Sequence, residues 1–176
     1  MELSLLETSR NYAAALPSLW ETSMDTPFFA AEWLNTDRPL TIKGFHGRVL
    51  AVEVFQMLCP GCVLHGLPQA QRLTQTFDRK DLAVIGLHSV FEHHEGNSPE
   101  SLSAFLHEWR IRFPVAIDAA GDGPMPRTMA AWALQGTPSL VLFDRCGKMR
   151  SRHFGQMDDL ALGAQVMELI MTNPAT

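Results

Sequence analysis

Val49-Leu50-Ala51-Val52-Glu53-Val54-Phe55, then Gln56-Met57-Leu58, then Cys59-Pro60-Gly61-Cys62: this stretch decides how the chain folds. The segment from Arg48 to Phe55 is rich in Val and bounded upstream by Gly44 and Gly47, the signature of a buried core strand. Beyond the break, Pro60 to Phe77 predicts a helix with Leu64, Leu67, Ala70, Leu73 and Phe77 along its inner stripe, kinked at Pro68. The two cysteines therefore sit where a strand hands over to a helix. Peptide N–H groups are unpaired at a helix start, and the macrodipole places partial positive charge there, so both effects favour a thiolate at Cys59. Pro60 suits the first helical position, because its missing N–H has no use there. Gly61 leaves a small, open surface over the sulfurs that another backbone can approach.

A spacing of two residues at a helix start lets the second sulfur swing onto the first. Cys59 can attack a disulfide, and Cys62, deeper and shielded, can resolve the mixed disulfide. Strand alternation puts Glu53 on one face with Val49, Ala51 and Phe55. Desolvation among such neighbours raises a carboxyl's pKa, which suits Glu53 to accept the proton that Cys62 must lose. The contrary reading is a Glu on an edge strand facing solvent.

Working outward, Phe28 to Leu34 and Leu40-Thr41-Ile42 read as short edge strands around a turn at residues 35–39. A second core strand lies within Asp81 to Val90. Ser98 as N-cap and Pro99 at the first position open a helix carrying Leu102, Phe105, Leu106 and Trp109. Phe113 to Ile117 is a third strand, and a short helix spans Arg127 to Leu134. Ser139 to Phe143 and Lys148 to Phe154 flank a hairpin turn at Asp144-Arg145-Cys146-Gly147, and Leu162, Val166, Leu169 and Ile170 face inward from a last helix. Strands alternating with helices predict an α/β fold. Its central mixed sheet is flanked by helices on both faces, with the final hairpin adding an antiparallel edge. Residues 1–27 read as an N-terminal extension (a leader helix and loop), and 28–176 as one domain.

The composition agrees with one globular domain. The chain has 176 residues, 46% hydrophobic and 19% charged, and a net charge of -5. An acidic chain without a basic stripe is a poor partner for nucleic acid. Three cysteines are too few for a disulfide scaffold. Met1 to Glu7 carries acids where a secretory leader carries Lys or Arg, and no run approaches a membrane span, so the expectation is a cytoplasmic protein without membrane contact, or a periplasmic one if a signal has been removed.

The strand, the C-x-x-C at a helix start, the acid six residues before the first Cys and the later Gly136-Thr137-Pro138 together resemble the thioredoxin superfamily. Within it, Trp33-Leu34-Asn35, Gly47-Arg48-Val49, Gly86-Leu87-His88-Ser89 and Asp144 to Lys148 look like the TlpA/ResA-like branch, which overlaps the AhpC/TSA redoxin grouping. The resemblance implies a thioredoxin-like fold with Cys59 as nucleophile, Cys62 as resolving cysteine and Glu53 at the buried-acid position. It also implies a cis Thr137-Pro138 loop facing the disulfide. Such a proline leaves the Thr137 backbone free to pair with an extended substrate, so Thr137, Pro138, Pro60 and Gly61 are the expected substrate contacts. Leu58 departs from the family's aromatic residue at that position, and Gln56-Met57 replace its usual small and aromatic residues.

The implied activity is a thiol–disulfide oxidoreductase acting on protein disulfides, as reductant, recycled by an upstream reductase. No bound cofactor or metal is expected, because the cysteine pair itself carries the electrons. Three rival readings are weaker. Zinc on Cys59, Cys62 and His65 lacks a fourth ligand. A thiol peroxidase of peroxiredoxin type needs Pro and Thr where Val52 and Gln56 stand. A non-catalytic binding module on the same fold is the third. His88, Glu92, His93, His94 and Glu95 read as a solvated loop, with a metal site or proton relay as the sharper alternative. Cys146 reads as a turn residue, and the methionines as core filling.

Overall fold

The computed structural model describes residues 26–172; most of the expected N-terminal extension therefore lies outside the described residues. Six strands form one sheet in the order β1-β4-β3-β2-β5-β6. They are β1 (Ala30–Leu34), β2 (Val49–Phe55), β3 (Leu82–His88), β4 (Val115–Asp118), β5 (Ser139–Phe143) and β6 (Met149–Phe154). β2, β3 and β4 run parallel, whereas β1, β5 and β6 each pair antiparallel with their neighbours. Every residue of β2 and β3 is buried, as expected for parallel strands covered on both faces. β6 closes one edge with alternating exposure, and its Arg150 and Arg152 discourage further pairing there.

Alternation along β2 divides the core in two. Val49, Ala51 and Phe55 pack with side chains of α1 (Leu67–Thr76), α2 (Pro99–Glu108) and α4 (Asp159–Met171). Leu50, Val52 and Val54 face Ile42, Phe45 and Trp132, the last residue directly following α3 (Arg127–Ala131). Helices thus cover both faces, as the sequence predicts. Ser98 caps α2 through the N–H of Ser101, with Pro99 in the first turn.

Five sequence expectations shift. Leu64, expected on the inner stripe of the first helix, is instead exposed. The proposed strand Leu40-Thr41-Ile42 is instead a loop running into a 3-10 turn, Ile42–Phe45. The Thr41 hydroxyl accepts the Gly44 N–H at 3.2 Å, and Ile42 and Phe45, three apart, bury on the same side. The third strand starts at Val115, just after Pro114, and extends to Asp118. α3 ends at Ala131, where the Leu134 N–H folds back onto the Met129 carbonyl and Ala133 takes a positive φ of 51°. Pro68 acts upstream of itself: residues 62–66 form a wide π turn, closed by the Leu67 N–H on the Cys62 carbonyl. Proline removes one helical donor and crowds the carbonyl four residues earlier, and the widened turn relieves both problems.

Candidate active site

β2 ends at Phe55, and the chain turns once before its helix. The Cys59 N–H closes that turn on the Gln56 carbonyl at 3.3 Å, and the Val63 N–H then bonds the Cys59 carbonyl at 3.1 Å. Cys59 is therefore the N-cap. Its Sγ accepts the Cys62 N–H at 3.3 Å, satisfying one of the orphan donors of the first turn. Pro60 occupies the first helical position and is exposed. Cys59 is half-buried and Cys62 fully buried, and both are free thiols.

The loop before β5 comes down over this pair. The Thr137-Pro138 bond is cis. A Cβ built on Gly61 would lie 3.1 Å from Pro138 Cδ and 4.0 Å from Cys59 Sγ, so Gly61 makes room for the protein's own Pro138 beside the sulfur. The Cys59 thiol donates to the Thr137 carbonyl at 3.5 Å. That carbonyl thus faces the outer sulfur.

Glu53 lies behind the cysteines, 1% exposed, and its Oε1 has no hydrogen-bond partner. Burial raises its pKa well above the ordinary carboxyl range, and negative charge on Cys59 raises it further. Burial likewise pushes the Cys62 thiol up, aided by its hydrogen bond with Cys59, while the Thr137 side chain and the Gln56 backbone draw it partly back down. The inner thiol and the inner acid are both held towards their neutral forms.

Gly66 was not singled out in the sequence, yet it makes room for this acid. Its hypothetical Cβ would collide with Glu53 Oε1 and approach both Glu53 Cδ and Pro138 Cβ to 3.0 Å. The available signal was a glycine inside a helix four residues after Cys62, where Gly is disfavoured by about 1 kcal/mol relative to Ala. Two more features escaped the sequence: the Phe154 ring covers Gly136 beside the cis-proline loop, and Gly96 lies against the Leu58 side chain.

The histidine cluster divides. His88 is buried at the end of β3, its ring 5.3 Å from Phe55, with Nε2 3.3 Å from Asn97 Oδ1. Asn97 Nδ2 donates to the His93 carbonyl at 3.0 Å, pinning a loop on which Glu92, His93, His94 and Glu95 are exposed. Among the described residues no three His, Cys, Asp or Glu side chains converge as metal ligands, so neither this loop nor Cys59, Cys62 and His65 forms such a cluster. Cys146 is exposed in the β5–β6 turn, at the opposite end of β5 from Pro138.

No protein-family model matches the chain. A crystal structure of a thioredoxin-like superfamily protein superposes with a TM-score of 0.84 at 49% identity, covering 87% of this chain and 100% of that one. The chain belongs to the thioredoxin-like superfamily. A thiol-disulfide isomerase from Corynebacterium glutamicum matches this thioredoxin-like domain at 47% identity and a TM-score of 0.80, over 84% of this chain and 96% of its own. Among curated proteins, NHL repeat-containing protein 2 of Homo sapiens is 31% identical over 134 residues, 74% of this chain. The matched region spans only 18% of the length of that human protein. No helix among the described residues is long and apolar enough to cross a membrane.

Proposed function

We propose that this chain is a thiol–disulfide oxidoreductase that reduces disulfides in other proteins through Cys59 and Cys62. The observation that carries the reading is the N-cap sulfur: Cys59 Sγ accepts the Cys62 N–H, with a buried Glu53 behind it whose Oε1 has no hydrogen-bond partner. Similarity to a protein described as a thiol-disulfide isomerase supports the same chemistry.

In the proposed cycle the Cys59 thiolate attacks one sulfur of a partner disulfide. The partner's S–S bond breaks, one partner sulfur leaves as thiolate, and a Cys59–partner disulfide forms. In molecules whose Glu53 is ionised, Cys62 then passes its proton to that carboxylate, which the raised pKa makes a strong acceptor, and attacks Cys59 Sγ. The mixed disulfide breaks, the second partner thiolate departs, and Cys59–Cys62 closes; two electrons have moved to the partner. An upstream reductase returns two electrons, and the proton held on Glu53 goes back to Cys62. No further cofactor enters, since the sulfur pair stores the electrons. In a reducing compartment such as the cytoplasm the pair rests as the dithiol, which favours this direction.

Substrate contact is assigned to Pro60, Gly61, Thr137 and Pro138. Leu58 and Leu64, 56% and 67% exposed, offer apolar surface on the same segment to a protein partner. The test is a Cys62→Ser variant challenged with a cell extract. It should accumulate mixed disulfides at Cys59, identified by mass spectrometry, and lose turnover in a disulfide-reduction assay by at least about a thousandfold. If no species is trapped and the parent protein shows no turnover, the binding-module reading takes its place.

A further inference from the structure

Gln56 stands out among the buried polar residues because it belongs to the turn that carries Cys59 and yet is 2% exposed. Strand ends that lead into solvent seldom bury a long amide, and a buried amide needs partners. Its side-chain Oε1 accepts the Phe91 N–H at 3.2 Å, reaching across to the loop after β3. Its own carbonyl accepts the Cys59 N–H at 3.3 Å. The preceding peptide is fixed as well, because the Phe55 carbonyl accepts the Ser89 N–H at 3.1 Å.

A trans peptide is planar, with its N–H directed opposite to its C=O. Holding the Phe55 carbonyl on Ser89 therefore aims the Gln56 N–H away from β3, and it is the Gln56 backbone that hydrogen-bonds the Cys62 thiol. The Gln56 backbone is one of two groups that lower the burial-raised pKa of the Cys62 thiol. The other is Thr137, which lies on the loop that a substrate would engage. Gln56 is thus the donor on the protein's own side.

We infer that Gln56 is a positioning residue for the resolving cysteine. By tying turn 56–59 to Phe91 it holds the 55–56 peptide with its N–H towards Cys62, and so speeds the second half of the exchange rather than the first. This inference rests on the function proposed above. In that second half the Cys62 thiolate forms a bond to Cys59 Sγ, the bond from Cys59 to the partner sulfur breaks, and the partner leaves with the electron pair. A fixed amide donor stabilises the attacking thiolate. Cys59, whose sulfur is served by the Cys62 N–H, does not depend on it.

The test uses the full chain with the exposed Cys146 changed to Ser, and dithiobis(nitrobenzoate), an aromatic disulfide whose leaving thiolate is coloured. One equivalent of colour reports attack by Cys59, at a rate proportional to reagent concentration. A second equivalent reports closure by Cys62, independent of that concentration. Gln56→Met keeps length but removes the acceptor, and Phe91→Pro removes the donor from the other end of the same hydrogen bond. Either folded variant should slow the second phase about three- to tenfold and move its pH midpoint upwards, with the first phase kept within about twofold. A second phase unchanged in a folded variant, or both phases slowed together, overturns the inference. A parent protein that releases only one equivalent sinks the oxidoreductase reading itself.

Discussion

Two acids are buried on opposite faces of one sheet, and their surroundings differ completely. Asp118, at the end of β4, accepts the N–H groups of Thr128 and Met129 at 2.8 and 3.0 Å, and the Ser89 hydroxyl at 2.9 Å. It fastens the start of α3 to the end of β3. Glu53, in β2, is more deeply buried and leaves Oε1 without any partner. A carboxylate supplied with three donors serves the fold. One that is buried with an oxygen lacking any donor has its pKa raised and is suited to take a proton, a poor structural element and a good chemical one.

The largest expected effect breaks this contrast at Glu53. In Glu53→Gln the shape is kept while the proton acceptor is lost, so closure of the Cys59–Cys62 disulfide should slow about a hundredfold. The same change should stabilise the protein at neutral pH. A carboxyl whose folded pKa is raised binds more protons in the folded state than in the unfolded one. Stability therefore falls as pH rises from the unfolded pKa through the folded one. Above that window the variant should melt about 3–8 °C higher than the parent, and below it the two should converge. Thermal melts across pH, beside single-turnover kinetics, check both halves; a slower enzyme that is also less stable at neutral pH would contradict the reading of Glu53.

The complementary change at Asp118 should do the reverse. Asp118→Ala strands two backbone N–H groups and a hydroxyl in a buried place, and should cost about 2–3 kcal/mol in denaturant unfolding. Thiol exchange by the folded fraction should stay within about threefold of the parent. If exchange instead collapsed while stability held, the division between the two acids would be wrong.

This division marks how far the sequence could be read. Glu53 was legible because a charged residue interrupts a Val-rich strand in phase with inward-facing positions, and Cys59 because C-x-x-C directly follows that strand. Asp118 was not, since its partners Thr128 and Met129 lie ten and eleven positions away, and nothing in a short window pairs them. Gln56 was visible only as a departure from a family pattern, its partner Phe91 being 35 residues distant. Gly66 and Pro138 meet Glu53 from two separate segments, a conjunction that only the folded chain creates. Periodicity likewise located the strands of the core, whereas the stretch around Ile42 failed because two apolar residues three apart fit a 3-10 turn as well as a strand.

His88 offers a smaller contrast with Glu53, on the same face of the sheet. Asn97 uses its amide N–H groups on the carbonyls of Glu92 and His93, so its Oδ1 is left to accept. The ring must then present Nε2–H to it at 3.3 Å, which assigns the neutral tautomer from the hydrogen bonding. Burial lowers the His88 pKa from its ordinary value to about 4, and the Asn97 contact only partly opposes this. Here the unfolded state binds the proton first. Stability should be complete above the ordinary histidine range and drain away as pH falls towards about 4, by about 1.4 kcal/mol per pH unit within that window. Glu53 slopes in the opposite direction, so Glu53→Gln should expose the acid loss due to His88 more clearly. His88→Gln, which keeps a donor for Asn97 and cannot titrate, should flatten it. Denaturant melts of both variants between neutral pH and about pH 5 decide the matter. An acid limb that persists unchanged in His88→Gln would move the titrating group elsewhere and leave His88 as packing against Phe55.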